Sequence, residues 1–246
     1  MRILVTLESP VTVSLPINYN YFLASMIYRN LPQSFAFIHD NGYVYGKRKF
    51  KFFTFSWLQG HYYLKGNTLL MDGKISFIFS SPIDTLAKDV AKSILSEDSV
   101  MIGDSALNIE SVNVLPDPDF SNEMYVKMLS PVTMYSTLKT IDGKKRTYYY
   151  SPFEKEFSQL IEKNILKKYV ALNKKESNDP HFRVTPIGRQ REIFTNYKGT
   201  IVRAWNGIYR IEGNPDLLKL AYDAGIGGKN PEGFGCFDVI RRDIKR

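Results

Sequence analysis

The order in which sequence periodicities succeed one another constrains this chain most. Residues 2–8 (RILVTLE) alternate apolar and polar side chains, as a half-buried strand does. Residues 19–31 then place Phe22, Leu23, Met26 and Ile27 at helical spacing, with Asn18 in position to cap the helix. Residues 50–58 and 74–81 read as strands, 81–95 as an amphipathic helix, and 106–115 as a closing strand. This β-α-β-β-α-β order gives one antiparallel sheet with its helices on one face, the ferredoxin-like arrangement. The stretch PDPDF (116–120) interrupts it, and the order starts again. Residues 124–136 read as a strand, 151–172 as a helix, and 181–187 and 199–213 as strands. A helix over 214–225 has Asn214 as its cap and Pro215 at its first position, and 234–240 ends the series. The expectation is an α+β chain of two tandem ferredoxin-like (RRM-like) domains, 1–120 and 121–246, with antiparallel sheets.

The chain can fill two cores, since 43% of its 246 residues are apolar. No apolar run approaches the roughly 20 residues of a membrane-spanning helix, and the first residues read as a strand rather than a signal peptide. A single cysteine, Cys236, excludes an intrachain disulfide, so a reducing, cytoplasmic setting is expected. Basic residues exceed acidic ones by 33 to 25, and there are 16 Tyr and 16 Phe. Cations interleaved with rings suit nucleic acid, because cations neutralise phosphates and rings stack on bases.

Five glycines, at 225, 227, 228, 233 and 235, crowd into GIGGKNPEGFG (225–235). A dinucleotide fingerprint needs a strand before such glycines and a helix after them; here the order is reversed. A P-loop needs Ser or Thr after Gly-Lys, and Asn230 follows Lys229. What remains is either an anion-binding nest of backbone N–H groups helped by Lys229, or a tight connection packed on its neighbour.

This stretch resembles the carboxy-terminal glycine-rich motif of the repeat-associated (RAMP) superfamily, Gly-hydrophobic-Gly, a polar spacer, Gly-hydrophobic-Gly. MIYRNL (26–31), FIHDNG (37–42) and KFFTFSWLQG (51–60) are similar to the helix-one tyrosine, the following histidine and the Lys-x-Phe-Thr strand of one member. That member is the CRISPR-associated endoribonuclease of the sixth Cas family, and the resemblance runs through nearly the whole chain. It implies metal-independent cutting of precursor CRISPR RNA within each repeat by the ribose 2′-OH, leaving a 2′,3′-cyclic phosphate and a 5′-OH. It also implies no cofactor. CRISPR repeat RNA is the expected partner, with other effector-complex subunits compatible, no membrane, and a monomeric or homodimeric state.

The resemblance points to Tyr28, His39 and Lys51 as catalytic residues, without dividing base from acid between Tyr28 and His39. Lys47 or Lys49 could stand in for Lys51, and His61 and His181 are the other histidines. Candidate RNA contacts are Lys47, Arg48, Lys49, Lys144, Lys145, Arg146 and Arg203, together with Gly225, Gly227, Gly228, Lys229, Gly233 and Gly235. Tyr148–Tyr150 and Trp205 are candidate stacking platforms. Three scattered histidines and one cysteine give no zinc spacing, so no metal site is expected. Two alternatives stand beside the nuclease: a non-catalytic repeat-RNA-binding member of the superfamily, and a ferredoxin-like module for a protein or small ligand.

Overall fold

The computed structural model describes residues 1–139 and 142–240; residues 241–246 of the second expected domain lie outside them. The first half runs β1 (Arg2–Pro16), α1 (Asn20–Arg29), α2 (Phe37–Asp40), β2 (Tyr43–Tyr45), β3 (Arg48–Phe50), β4 (Thr54–Phe55), β5 (Gln59–Lys65), β6 (Thr68–Ser80), α3 (Asp84–Leu95), β7 (Ser99–Ile102) and β8 (Ser105–Leu115). The second runs β9 (Glu123–Met128), β10 (Tyr135–Lys139), β11 (Lys145–Tyr149), α4 (Lys155–Asn173), β12 (Phe182–Tyr197), β13 (Thr200–Gly213), α5 (Pro215–Ala224) and β14 (Phe237–Val239).

Each half builds a sheet of the same topology. The first is ordered β4-β6-β1-β8-β7, with β5 also on β6; the second is ordered β12-β13-β9-β14. In both, the first strand lies between the third and fourth of the unit, and every pairing is antiparallel. The fold is therefore α+β with two ferredoxin-like sheets. The alternation in RILVTLE does what its period demands: Ile3, Val5 and Leu7 are fully buried in the first core. Helices α1 and α3 contribute Leu23, Ile27, Leu86 and Val90 to the same core, and α4 and α5 cover the second with Phe157, Ile161, Leu217 and Leu218. Asn214 caps α5 by accepting from the Asp216 N–H at 2.8 Å.

Several local expectations are corrected. Asn18 does not cap α1, which starts at Asn20; its Oδ1 instead accepts the Asn196 N–H at 3.0 Å. The strand expected over 50–58 is broken, because Phe52 takes a left-handed φ of 50° and residues 51–53 leave the sheet. The strand expected over 124–136 stops at Met128, ahead of Pro131; Val132 makes an isolated bridge to Trp205, and Tyr135 and Ser136 belong instead to β10. The strand expected over 181–187 runs on to Tyr197 across a bulge. It turns at Lys198-Gly199, where both φ values are positive, at 49° and 80°, as a two-residue hairpin turn requires.

The halves are sewn together by buried groups. Phe50 and Phe52 belong to the second core, whereas Phe53 and Phe55 belong to the first. Arg2, 1% exposed, sends Nε to Ser80 Oγ at 3.1 Å, Nη1 to the Phe237 carbonyl at 2.6 Å, and Nη2 to the Tyr222 carbonyl. Its guanidinium carbon sits 3.2 Å from the Tyr222 ring centroid. A buried cation is tolerable only when its donors are met, and here neutral oxygens and an aromatic face of the second half meet them.

Candidate active site

Tyr28, His39 and Lys51 converge. Tyr28 is near the end of α1, whose apolar side is anchored in the first core, and its ring meets Phe53 edge-on at 5.5 Å. His39 sits on the single turn α2, and its ring stands 5.3 Å from that of Tyr28 at 81°. Lys51 is held at a boundary: Phe50 and Phe52 on either side are pinned in the second core, and Phe53 in the first. Its Nζ donates to the His39 carbonyl at 2.6 Å and lies 5.1 Å from the Tyr28 ring centroid.

The local electrostatics give each group a distinct character. His39 Nδ1 lies 2.6 Å from Asp40 Oδ1, and a carboxylate only accepts, so Nδ1 is the donor of that pair and Nε2 is the ring nitrogen Asp40 does not engage. Burial, then Tyr197 and Glu232, raise the Tyr28 pKa, so its phenol stays protonated. Burial lowers the Lys51 pKa, against the opposing pull of Asp40 and Glu232.

The three side chains face a cleft of about 370 Å³ whose far wall belongs to the second half: Tyr197 and Lys198 from the β12–β13 turn, Pro231 and Glu232 from the glycine-rich loop. Lys198 places its Nζ 4.5 Å from the Tyr21 ring centroid. Sequence reasoning missed these wall residues. The Lys-Gly dipeptide at 198–199 was a readable hairpin signal, but nothing local indicates that this tip reaches α1.

The glycines answer to packing. A Cβ on Gly235 would fall 2.0 Å from the Ile226 carbonyl oxygen, on Gly227 2.5 Å from that of Thr133, on Gly233 2.6 Å from the Phe55 ring, and on Gly225 2.7 Å from Asn230 Nδ2. All four have φ between 72° and 85°. The N–H groups of Ile226, Gly228, Gly233 and Gly235 donate to the carbonyls of Gly235, Thr133, Asn230 and Pro131. What approaches this backbone at Gly225, Gly227, Gly233 and Gly235 is the protein itself, as in the packed connection rather than the phosphate nest. Gly228 and Lys229 alone of the named set are half-exposed, and Lys229 is ion-paired with Glu232 at 2.7 Å. Asn230 ties the loop, donating from Nδ2 to Ile226 and Phe234 at 3.0 Å and accepting from the buried Lys168 at 2.7 Å.

The model of the CRISPR-associated protein Cas6 C-terminal family matches residues 115–239, and that of the Cas6 N-terminal family matches residues 14–113. The CRISPR-associated endoribonuclease Cas6 1 of Methanocaldococcus jannaschii is 31% identical over 243 residues, covering 96% of this chain and 91% of that protein. The chain belongs to the Cas6 family. The Cas6 endoribonuclease of Pyrococcus furiosus is 28% identical, covering 91% of this chain and 83% of its own. A solved structure described as CRISPR associated protein Cas6 superposes with a TM-score of 0.82 at 27% identity, over 98% of this chain and 99% of that one.

The basic candidates of this Cas6 chain divide by place. Arg48 and Lys49 line a second cavity beside the cleft, whereas Lys47 is exposed in the β2–β3 turn. Lys144, Lys145 and Arg146 are on the separate β10–β11 hairpin and line neither cavity, and Lys144 pairs with Asp142 at 3.2 Å. Arg203 is committed to Glu192, with Nε 2.7 Å from Oε1. Trp205 is 5% exposed, so it cannot serve as the stacking platform expected of it; Tyr148 is open and hydrogen-bonded to Glu154. His61, on edge strand β5, and His181, ahead of β12, line neither cavity. Among the described residues no three His, Cys, Asp or Glu side chains converge as metal ligands, and no helix is long and apolar enough to cross a membrane.

Proposed function

We propose that this Cas6 endoribonuclease binds CRISPR repeat RNA and cuts precursor CRISPR RNA within the repeats, the ribose 2′-OH attacking the adjacent phosphate. The reading rests on one observation: a phenol, an imidazole and an ammonium meet in a cleft walled by both halves. Internal attack needs only a base for the 2′-OH, a proton for the departing 5′ oxygen, and positive charge at the crowded phosphorane.

His39 supplies the base through Nε2, the ring nitrogen that Asp40 does not engage. Tyr28 supplies the proton, because burial keeps its phenol neutral. Lys51, tethered to the His39 carbonyl, faces the developing charge, with Lys198 across the cleft as a second cation. The products are a 2′,3′-cyclic phosphate and a 5′-OH, and the protons taken and given return through solvent.

The test is incubation with repeat RNA in excess EDTA, followed by end-group analysis. Cutting that persists and yields a cyclic phosphate supports the reading. Rapid cutting of a repeat carrying a 2′-deoxy sugar just before the scissile phosphate would overturn it.

A further inference from the structure

A second cavity of about 230 Å³ adjoins the cleft and shares Lys51, Pro231 and Glu232 with it. The β2–β3 segment, α4 and the glycine-rich loop enclose it. Phe50, Phe52 and Tyr135 give it aromatic walls, and Arg48, Lys49 and Lys229 add positive charge. Two polar groups of α4, spaced four residues apart and so on one helix face, also line it. Lys168 is 3% exposed and spends two N–H bonds, on the Gly225 carbonyl and on Asn230 Oδ1, both at 2.7 Å. Its protonated form, held below about pH 7, has three, so there one donor is left. Asn164 has its Oδ1 buried without a hydrogen-bond partner among the described residues. Buried acceptors are seldom left so, and such an orphan beside a cavity asks for a donor from outside.

A phosphate would meet the basic groups but bring no proton for Asn164. A group that accepts from Lys168, donates to Asn164 and is flat enough for aromatic walls has the edge of a nucleobase. Every base offers an acceptor beside an N–H donor, but only guanine and uracil set a carbonyl oxygen there, and its two lone pairs can take both Lys168 and a second of the basic groups that line the cavity. We propose that this cavity is a base-recognition pocket for guanine or uracil in a nucleotide flanking the scissile phosphate. The inference rests on the nuclease reading, because the shared Lys51 is what sets the pocket beside the cut.

The test uses repeat RNAs blocked by a 2′-deoxy sugar at the cleavage site, carrying each of the four bases in turn at the two flanking nucleotides. Affinity is measured for the wild type, Asn164→Ala and Asn164→Asp. The wild type should favour guanine or uracil at one of the two positions by roughly 5- to 100-fold, the discrimination of a paired base contact. Asn164→Ala should bring that ratio within about twofold of unity while leaving the adenine and cytosine RNAs bound as before, and Asn164→Asp, which keeps the acceptor, should retain it. A ratio unchanged in Asn164→Ala, an equal weakening for all four bases, or no wild-type preference at either position would overturn the pocket alone. RNAs that fail to bind in any form, or an unblocked repeat that is never cut, would remove the nuclease reading and the pocket with it.

Discussion

Replacing Gly235 by alanine separates a packed loop from an RNA cradle. Gly235 has φ 79°, and an added Cβ would lie 2.0 Å from the Ile226 carbonyl oxygen and 2.7 Å from Asn230 Nδ2. The left-handed conformation costs a non-glycine residue roughly 1–2 kcal/mol. Overpacking against backbone that cannot swing aside adds about 1–3 kcal/mol. The sum, about 2–5 kcal/mol, corresponds to a melting temperature lower by roughly 4–20 °C in a chain of this size. Gly228→Ala is the matched control. Gly228 is outside the left-handed region and half-exposed, and its Cβ would meet a Tyr135 ring atom at 3.2 Å, the edge of a side chain that can give way. Its cost should stay within about 0.5 kcal/mol. Thermal melts by circular dichroism give the stabilities, and repeat-RNA affinity measured well below both melting points gives the other axis. A Gly235→Ala protein that melts with the wild type yet loses RNA affinity would refute the packing argument and restore the phosphate nest.

Three further outcomes follow from the site. His39→Ala should slow single-turnover cleavage by roughly 10²–10⁴, the usual worth of a general base, with RNA affinity little changed; a wild-type rate would remove His39 from the mechanism. The Lys51 ammonium, its pKa lowered by burial, loses its charge at lower pH than an ordinary lysine, so the cleavage rate should fall on the alkaline side. Lys51→Arg should carry the plateau to higher pH because arginine does not deprotonate, and an alkaline limb identical in the two proteins would contradict this. Burial depresses Lys168 to about 7. Between that value and the ordinary lysine range the unfolded chain binds the extra proton, so this residue makes the fold more stable as pH rises through the window. Lys168→Met should remove that slope in chemical denaturation, and an undiminished slope would show that the residue is not the source.

The two sheets were legible because long, half-buried strands and amphipathic helices carry their period in sequence. RILVTLE and NPDLLKLAYDAG fall where they were read. Tyr28, His39 and Lys51, named through resemblance, do come together, though only Tyr28 stands on the element read for it. Lys51 was placed on a strand, and it stands instead in a break made by the left-handed Phe52. No propensity forecasts that break; it exists because Phe50 and Phe52 pack in one core and Phe53 in the other. The hairpin β2–β3 has a two-residue turn at Gly46-Lys47, yet its exposed, basic strands look like a solvated loop. The burial of Lys168 and of the Asn164 Oδ1 was illegible for the opposite reason: a lysine and an asparagine on a polar-looking helix give no sign of it until α4 is set against the glycine-rich loop.

The clamp at Arg2 also sets a clock for the growing chain. Its guanidinium donates to Phe237, 235 positions later, and to Tyr222, 220 positions later. At a synthesis rate of about 5–20 residues per second, β1 leaves the ribosome roughly 10–50 s before both acceptors exist. Through that interval the first sheet holds a charged side chain at a face that is to become dry, and hydration of that charge opposes premature burial of this face. The first half cannot complete the shell around Arg2 by itself: two of its three acceptors, like the Tyr197 wall of the cleft, come from the second half.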